Sequence, residues 1–392
     1  MKKIILIAAF AIAAFSLSGQ TEMERILADV EANNASLSAM RKLRDAQIVE
    51  AKMGNSLGDP DVEFSYKWGN PSSLGKSGEI TVSQPFDFPT VYAHRSKLAK
   101  LQAEKYGYQY MAARQELLLS AQTLYIQAVG LKRNIAVLEL LARNAREIAM
   151  TFAKKMEVGD ANVLELNEAN FTSVGQDNAL RMARIELDAT LEKLAGLNGG
   201  NTVEIVASDF GELPGLPTFE DVYAAYMELS PELKALLAEK RVAERDVKLS
   251  RSQSLPKLAA GYKHEFGNGE RFNGLVVGMS IPIFGNRYNV KRAKAQDEYA
   301  QAAIESATVD MRTDLKSEYL KAQSTYETIA DYKTMLDFKQ AMDLARKALD
   351  AGQITVTEYF AQVQPIYEAN LTVLELQRDY MLAYARINMV RL

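Results

Sequence analysis

Apolar positions along the chain follow two periods, and each period recurs in both halves. In "DPDVEFSYKW", residues 59–68, Val62, Phe64, Tyr66 and Trp68 alternate with Asp61, Glu63, Ser65 and Lys67. A period of two predicts a strand with one apolar and one charged face. The same alternation predicts strands at about 78–86, where Ile80 and Val82 oppose Glu79, Thr81 and Ser83, and at about 257–266, where Leu258, Ala260 and Tyr262 oppose Lys263 and Glu265. A fourth strand, about 273–283, sets Leu275, Val277, Met279 and Ile281 against Gly274, Val276, Gly278 and Ser280. Beyond the second strand, from about His94 to Glu157, the pattern turns helical. Ala121, Ala128, Ile135, Ala142, Ala149 and Met156 hold one heptad position, and Leu117, Leu124, Leu131, Leu138, Ala145 and Phe152 the other. A sustained seven-residue repeat predicts coiled-coil packing. Such a helix is roughly 95 Å long, too long to fold onto a compact domain. A matching helix, about Tyr288 to Asp350, carries Lys339, Asp343 and Arg346 in the equivalent seam, which marks either a polar-lined or a mobile face.

Both long helices end alike. "KKMEVGDANVLELNEA" and "KALDAGQITVTEYFAQ" each place a glycine, Gly159 or Gly352, after the last turn, and an acid, Glu165 or Glu358, six positions later. Glycine suits the left-handed C-cap. Each stretch predicts an antiparallel helical hairpin, with tips at 158–162 and 351–355. Pro365 is expected to kink the last helix. The two acids read as exposed first-turn carboxylates that suit the helix dipole.

The recurrence is a duplication. Residues 37–67 lie over 233–263 at an offset of 196, with Lys52 on Lys248, Pro60 on Pro256 and Tyr66-Lys67 on Tyr262-Lys263. Ser83 and Pro85 then meet Ser280 and Pro282, Gly159 meets Gly352, and Glu165 meets Glu358. Each half reads helix, strand, loop, strand, very long helix, tight turn, helix. The expected organisation is a leader over 1–19, a first repeat over 20–197, an irregular inter-repeat segment over 198–217 and a second repeat over 218–392. In both halves a strand runs into a long helix through a Ser-x-Pro element. Pro85, Phe86 and Pro89 form one junction; Pro282, Phe284 and Gly285 form its twin. Pro85 is expected to end the strand ladder, because proline has no N–H to donate.

Composition narrows the function. With 48% hydrophobic and 24% charged residues the chain is globular, not disordered. The net charge of -4 has no basic block behind it, so nucleic acid is not an expected partner. "MKKIILIAAFAIAAFSLSGQ" reads as a secretory signal peptide, an uncleaved anchor being the alternative. No later apolar run matches a membrane helix, so membrane entry would have to be as a β-barrel. The strands have the length of tilted membrane strands, although a half-buried sheet in a soluble domain would alternate in the same way. There is no cysteine, and His94 and His264 are the only histidines. His94 is expected to be structural, and His264 to sit near an outer rim. No zinc spacing, phosphate loop or nucleophile elbow appears. No catalytic residue, cofactor or metal site is expected.

The ordered set of leader, duplication, paired strands ending in "SQPF" and "SIPIF", and hairpins turning at "EVGDANVLELNEA" and "DAGQITVTEYFAQ" resembles the TolC-type outer-membrane efflux channel family, in its shorter members. The resemblance covers nearly the whole mature chain. It implies a mainly α fold with a small β part. Three copies would pool their strands into a twelve-stranded barrel in the outer membrane of a Gram-negative bacterium, continued by a long α-barrel in the periplasm. Val62, Phe64, Tyr66 and Trp68 would then face outer-membrane lipid. The tips Val158-Gly159-Asp160 and Ala351-Gly352-Gln353 would dock a periplasmic membrane-fusion adaptor, and Glu165 and Glu358 would form acidic rings at the entrance. The inner-membrane pump implied is of the resistance-nodulation-division type, with a type I secretion duct as the alternative. Where some members carry a basic and an acidic residue beyond the second glycine, this chain has Ile354 and Ala361, so a salt-bridged gate of that kind does not carry over. A secreted or periplasmic coiled-coil adaptor is the competing class, one that would not need the four strands.

Overall fold

The computed structural model describes residues 17–282, 287–335 and 338–392. The expected leader lies almost wholly outside the described residues, as do Phe284 and Gly285. The described chain is mainly helical, with one four-stranded antiparallel sheet.

The first half comprises α1 (Leu17–Asn33), α2 (Ala35–Met53), β1 (Asp61–Trp68), β2 (Lys76–Phe86), α3 (Pro89–Glu157) and α4 (Val163–Leu197). The second comprises α5 (Phe219–Leu229), α6 (Pro231–Ser252), β3 (Lys257–Gly267), β4 (Glu270–Ser280), α7 (Arg287–Met335), α8 (Phe338–Asp350) and α9 (Val356–Ile387). Each half therefore opens with two helices, where the sequence pattern suggested one. The break falls at Asn34 and at Ser230, which lie at the repeat offset of 196. Each is a cap: Asn34 Oδ1 accepts from Leu37 N at 2.8 Å, and Ser230 Oγ accepts from Leu233 N at 3.2 Å. Short polar side chains at these positions satisfy N–H groups that the new helix leaves orphaned.

Other boundaries differ for physical reasons. The long helix begins at Pro89, not His94, because a fixed φ and a missing N–H suit proline to the first helical turn. β2 runs from Lys76 through Pro85 to Phe86, so Pro85 does not end the ladder; it pairs with Ala259. Pairing with β1 stops at Ser83, so Pro85 sits where β2 has become an edge strand, a place proline tolerates. β4 spans Glu270–Ser280 rather than 273–283, which leaves Pro282 beyond the strand.

The chain forms two compact units, each drawing on both sequence halves. One contains residues up to 37, 113–229 and 312–392; the other contains 38–112 and 230–311. In the first, the α3 seams are buried from Ala121 to Phe152, with Leu117 and Leu124 half-buried and Met156 emerging beside the turn. Leu138, Leu141 and Ala142 pack with Leu180 and Ala183 of α4, and with Tyr367 and Leu371 of α9. Alanine at the closest positions lets helix backbones approach. The α8 seam is filled by Ala345 and Leu349, and Asp343 is exposed. Arg346 reaches α3 instead, donating to Asn144 Oδ1 at 3.0 Å. α9 passes through Pro365 without interruption. Residues 198–218 form neither helix nor strand, but they are pinned: Ile205 and Phe210 are buried, and Glu22 accepts from Val206 N and Ala207 N.

In the second unit the sheet order is β1-β2-β3-β4, which leaves β1 and β4 as open edges. Register puts Val62, Val82, Tyr262 and Leu275 in one row across all four strands, and Phe64, Ile80, His264 and Asn273 in the next.

Candidate functional site

Two surfaces carry the functional question: the faces of the sheet and the two hairpin tips. Partners across an antiparallel ladder share a face, so the register sorts every strand residue onto one of two faces. Along β2 and β3 the apolar members Ile80, Val82, Leu258 and Tyr262 are exposed, whereas Glu79, Thr81, Ser83, Gly261 and Lys263 are half-buried. Val62 is 70% exposed, Trp68 74% and Leu275 89%. A sheet in a soluble domain buries its apolar face; on the inner strands of this one the polar face is the more sheltered. The half-buried-sheet alternative is therefore corrected. Gly78 is needed on the apolar face, where a Cβ would lie 2.4 Å from the ring of Phe266.

At the centre of the polar face the charges are paired. Glu79 sits between Lys263 at 3.0 Å and Lys67 at 3.9 Å, and Lys263 also reaches Glu265 at 3.8 Å. At the strand-to-helix junction Asp87, which the sequence pattern did not single out, pairs with Arg95 at 2.7 Å and Lys257 at 3.8 Å, and its N–H donates to the Tyr92 hydroxyl. His94 follows on α3, with Nδ1 3.2 Å from Arg245 Nη1 of α6. Burial, then Arg245, Lys97 and Lys248, hold its pKa below the ordinary imidazole value, so it serves as a neutral acceptor. His264 pairs in register with Ile80 and Asn273.

The tips are built identically. Gly159 and Gly352 adopt φ of +80° and +66°. Asp160 N donates to Lys155 O and Gly159 N to Met156 O; Gln353 N donates to Ala348 O and Gly352 N to Leu349 O. Both are Schellman motifs. Three residues after each glycine comes an N-cap, and the acid singled out in the sequence closes a capping box. Glu165 accepts from Asn162 N at 2.9 Å while Asn162 Oδ1 accepts from Glu165 N at 3.0 Å. Glu358 accepts from Thr355 N at 2.8 Å while Thr355 Oγ1 accepts from Glu358 N at 3.1 Å. The backbone N–H and the hydroxyl of Thr355 lower the Glu358 pKa. The spacing "NVLE" and "TVTE" is a capping-box pattern, the signal from which these cap partners could have been found.

Val158, Gly159, Asp160, Ala351, Gly352 and Gln353 are all exposed. Directly behind them, Ala161 and Ile354 pack on one shared apolar cluster with Phe152, Leu349, Val356 and Tyr359. The structure thus seats both tips on a single core. Thr357 of α9 also donates to Glu168 of α4. Buried Tyr359 accepts from Asn144 Nδ2 at 2.8 Å, and burial pushes its phenol pKa up. Among the described residues no cluster of His, Asp and Glu has the makings of a metal site, and no helix is long and apolar enough to cross a membrane.

Comparison with known proteins agrees with this architecture. The chain is 24% identical over 274 residues to the pyoverdine export outer membrane protein OpmQ of Pseudomonas putida, covering 65% of this chain and 54% of that protein. It is 22% identical over 312 residues to the outer membrane protein TolC of Vibrio cholerae, covering 74% and 70%. The aligned part thus spans about half the length of OpmQ. Among solved structures it is similar to the CmeC outer membrane channel of Campylobacter jejuni, with a TM-score of 0.77 and 16% identity over 94% of this chain and 85% of that one. The sequence profile of outer membrane efflux proteins matches residues 26–200 and 222–389, nearly all of both repeats. The chain belongs to the outer membrane efflux protein family, and its place is the outer membrane.

Proposed function

We propose that this chain is the outer-membrane channel of a tripartite export system. Three copies pool four strands each into a twelve-stranded barrel, and their helices line a conduit through the periplasm. The channel is passive. A periplasmic membrane-fusion adaptor and an inner-membrane pump, of the resistance-nodulation-division type, deliver small molecules or metal ions to it. The family is one of channels rather than enzymes. One observation carries the reading: the large apolar residues of one face are exposed on all four strands, while on the inner strands the charged residues Glu79 and Lys263 of the other face are half-buried and paired, the arrangement of a wall between lipid and a water-filled lumen. Val62, Phe64, Tyr66 and Trp68 would face lipid. The two open edges support closure by further copies, since unpaired strand edges do not persist in a hydrocarbon layer.

The six exposed tip residues, Val158 to Asp160 and Ala351 to Gln353, are the proposed adaptor contacts. Glu165 and Glu358, already held by their caps, would give rings of three carboxylates each that favour cations at the entrance. Pro85 and Phe86 end β2, Pro89 opens α3 and Pro282 follows β4, so all four flank the proposed passage from barrel to helices. A periplasmic coiled-coil protein would have no use for a sheet with its apolar face turned out. A relative named for pyoverdine export supports an export role. The test is membrane fractionation followed by single-channel recording of the purified protein in planar bilayers. The expected result is an outer-membrane protein with discrete conductance steps; a soluble protein without conductance overturns the reading. Crosslinkers placed at 158–162 and 351–355 in cells should capture the adaptor.

A further inference from the structure

The apolar face of the sheet changes character at its loop end. The strand register places twenty residues on that face, from Val62 on β1 to Met279 on β4, and none is Asp or Glu. The acids Asp61, Glu63, Glu79, Glu265 and Glu270 all fall on the opposite face. Two cations nevertheless stand on the acid-free side. Lys76 opens β2 opposite Trp68, and Arg271 lies opposite Phe266, beside the turn at Asn268 and Gly269. Both are exposed, and neither makes an ion pair among the described residues, whereas Lys67, Lys257 and Lys263 on the other face each have an acidic partner.

One register step further in from Arg271, and two from Lys76, lie His264 and Asn273. His264 Nδ1 is 2.7 Å from Asn273 Oδ1, and the Tyr262 hydroxyl donates to the same oxygen at 2.8 Å. The amide N–H groups of Asn273 are left with no partner among the described residues. The patch is thus rich in donors, without a carboxylate, and flanked by Tyr66, Trp68 and Phe266. A guanidinium fork, an ammonium and an amide N–H are each donors suited to phosphate oxygens. Cations on a lipid-contacting wall are costly at mid-membrane and tolerated near the headgroups. All four residues lie within about 14 Å of chain from a strand-connecting loop, at about 3.4 Å per residue.

We propose that Arg271 and Asn273, the latter oriented by His264, and Lys76 two rows nearer the loop bind the phosphate groups of an outer-leaflet glycolipid of the lipid A type. This rests on the reading of the sheet as a membrane wall whose short loops face outward. The patch anchors the barrel rim to the outer leaflet and fixes the height at which it sits.

The chain supplies its own reporter, since Trp68, opposite Lys76, is its only tryptophan. Purified full-length protein in detergent is titrated with bisphosphorylated lipid A, its phosphate-free analogue, phosphatidylglycerol and sodium phosphate, with Trp68 emission as the readout. Lipid A is expected to bind in preference to the other three. The K76Q/R271Q variant should bind it at least about tenfold more weakly, as loss of charge-assisted hydrogen bonds implies, while keeping the wild-type single-channel conductance. Equal lipid A binding by variant and wild type overturns the proposal, and so does binding of phosphatidylglycerol as tight as that of lipid A. A protein that conducts but ignores lipid A sinks the phosphate site alone. One that neither inserts nor conducts sinks the membrane reading and the site with it.

Discussion

At the scale of single residues, each hairpin tip rests on a glycine and a cap. Nothing lies within 4 Å of a Cβ built at Gly352, so Gly352→Ala meets no clash, and its cost is the left-handed backbone alone. That cost is about 1–2 kcal/mol, to be read as a lower urea midpoint with an unchanged slope in the purified protein. Two titrating groups both weaken the fold as pH falls, in different ranges. The folded-state pKa of Glu358 is lowered by the Thr355 backbone N–H and hydroxyl. Its contribution is therefore complete above the ordinary carboxylate value and is lost as pH falls through the folded one. Glu358→Gln should remove that acid-side dependence. His94 is also depressed, chiefly by burial and then by Arg245. The unfolded chain takes up the proton first, so stability is full above about 6.5 and declines as pH falls below it. His94→Gln should flatten the melting temperature between about pH 6.5 and the lower folded pKa. An unchanged profile in that variant would show that the Arg245 contact leaves the imidazole unperturbed.

At the scale of elements, the sheet wall makes the sharpest demand. Phe64 pairs with Ile80 in the middle of β1, on the exposed apolar face. If that face meets hydrocarbon, Phe64→Arg costs about 2–4 kcal/mol, the figure for a cation at the midplane of a barrel wall. The same substitution at Ser65, on the other face, should cost little. Comparing unfolding of the two variants in lipid vesicles measures the difference, and equal losses would remove the lipid assignment. The fold class was legible in the sequence because periods of two and seven persist over many residues and local noise averages out. Features set by one residue or by long-range pairing were not. Asn34 and Ser230 each split a helix with a single cap. Pro85 stays in the ladder because β1 stops pairing two residues earlier, which no local pattern records. The row joining His264 to Asn273 depends on strand register, so the donor patch is invisible until the sheet is assembled. The capping boxes were different: their spacing was on the page, but the acids read first as free charges.

At the scale of the whole molecule, the deciding fact is that one chain leaves a sheet with two open edges. Four strands cannot close on themselves, and barrels in outer membranes begin at eight strands. Two copies would give eight and three would give twelve, so stoichiometry fixes the lumen. The absence of cysteine makes this directly measurable. A chain carrying one cysteine at Ser65 on β1 and one at a scanned position between 271 and 277 on β4 holds a thiol on each edge. Within a chain these edges are three strand spacings apart, about 14 Å. A bismaleimide shorter than about 10 Å therefore joins only neighbouring copies. Because every chain offers both edges, complete reaction in native membranes should give a covalently closed ring. Under denaturing conditions the proposed channel yields a ladder of one, two and three chains that stops at three. Termination at two would mean an eight-stranded barrel, too narrow for the proposed conduit. A ladder running past three would mean that the edges pair without closing, and the twelve-stranded barrel would then have to be abandoned.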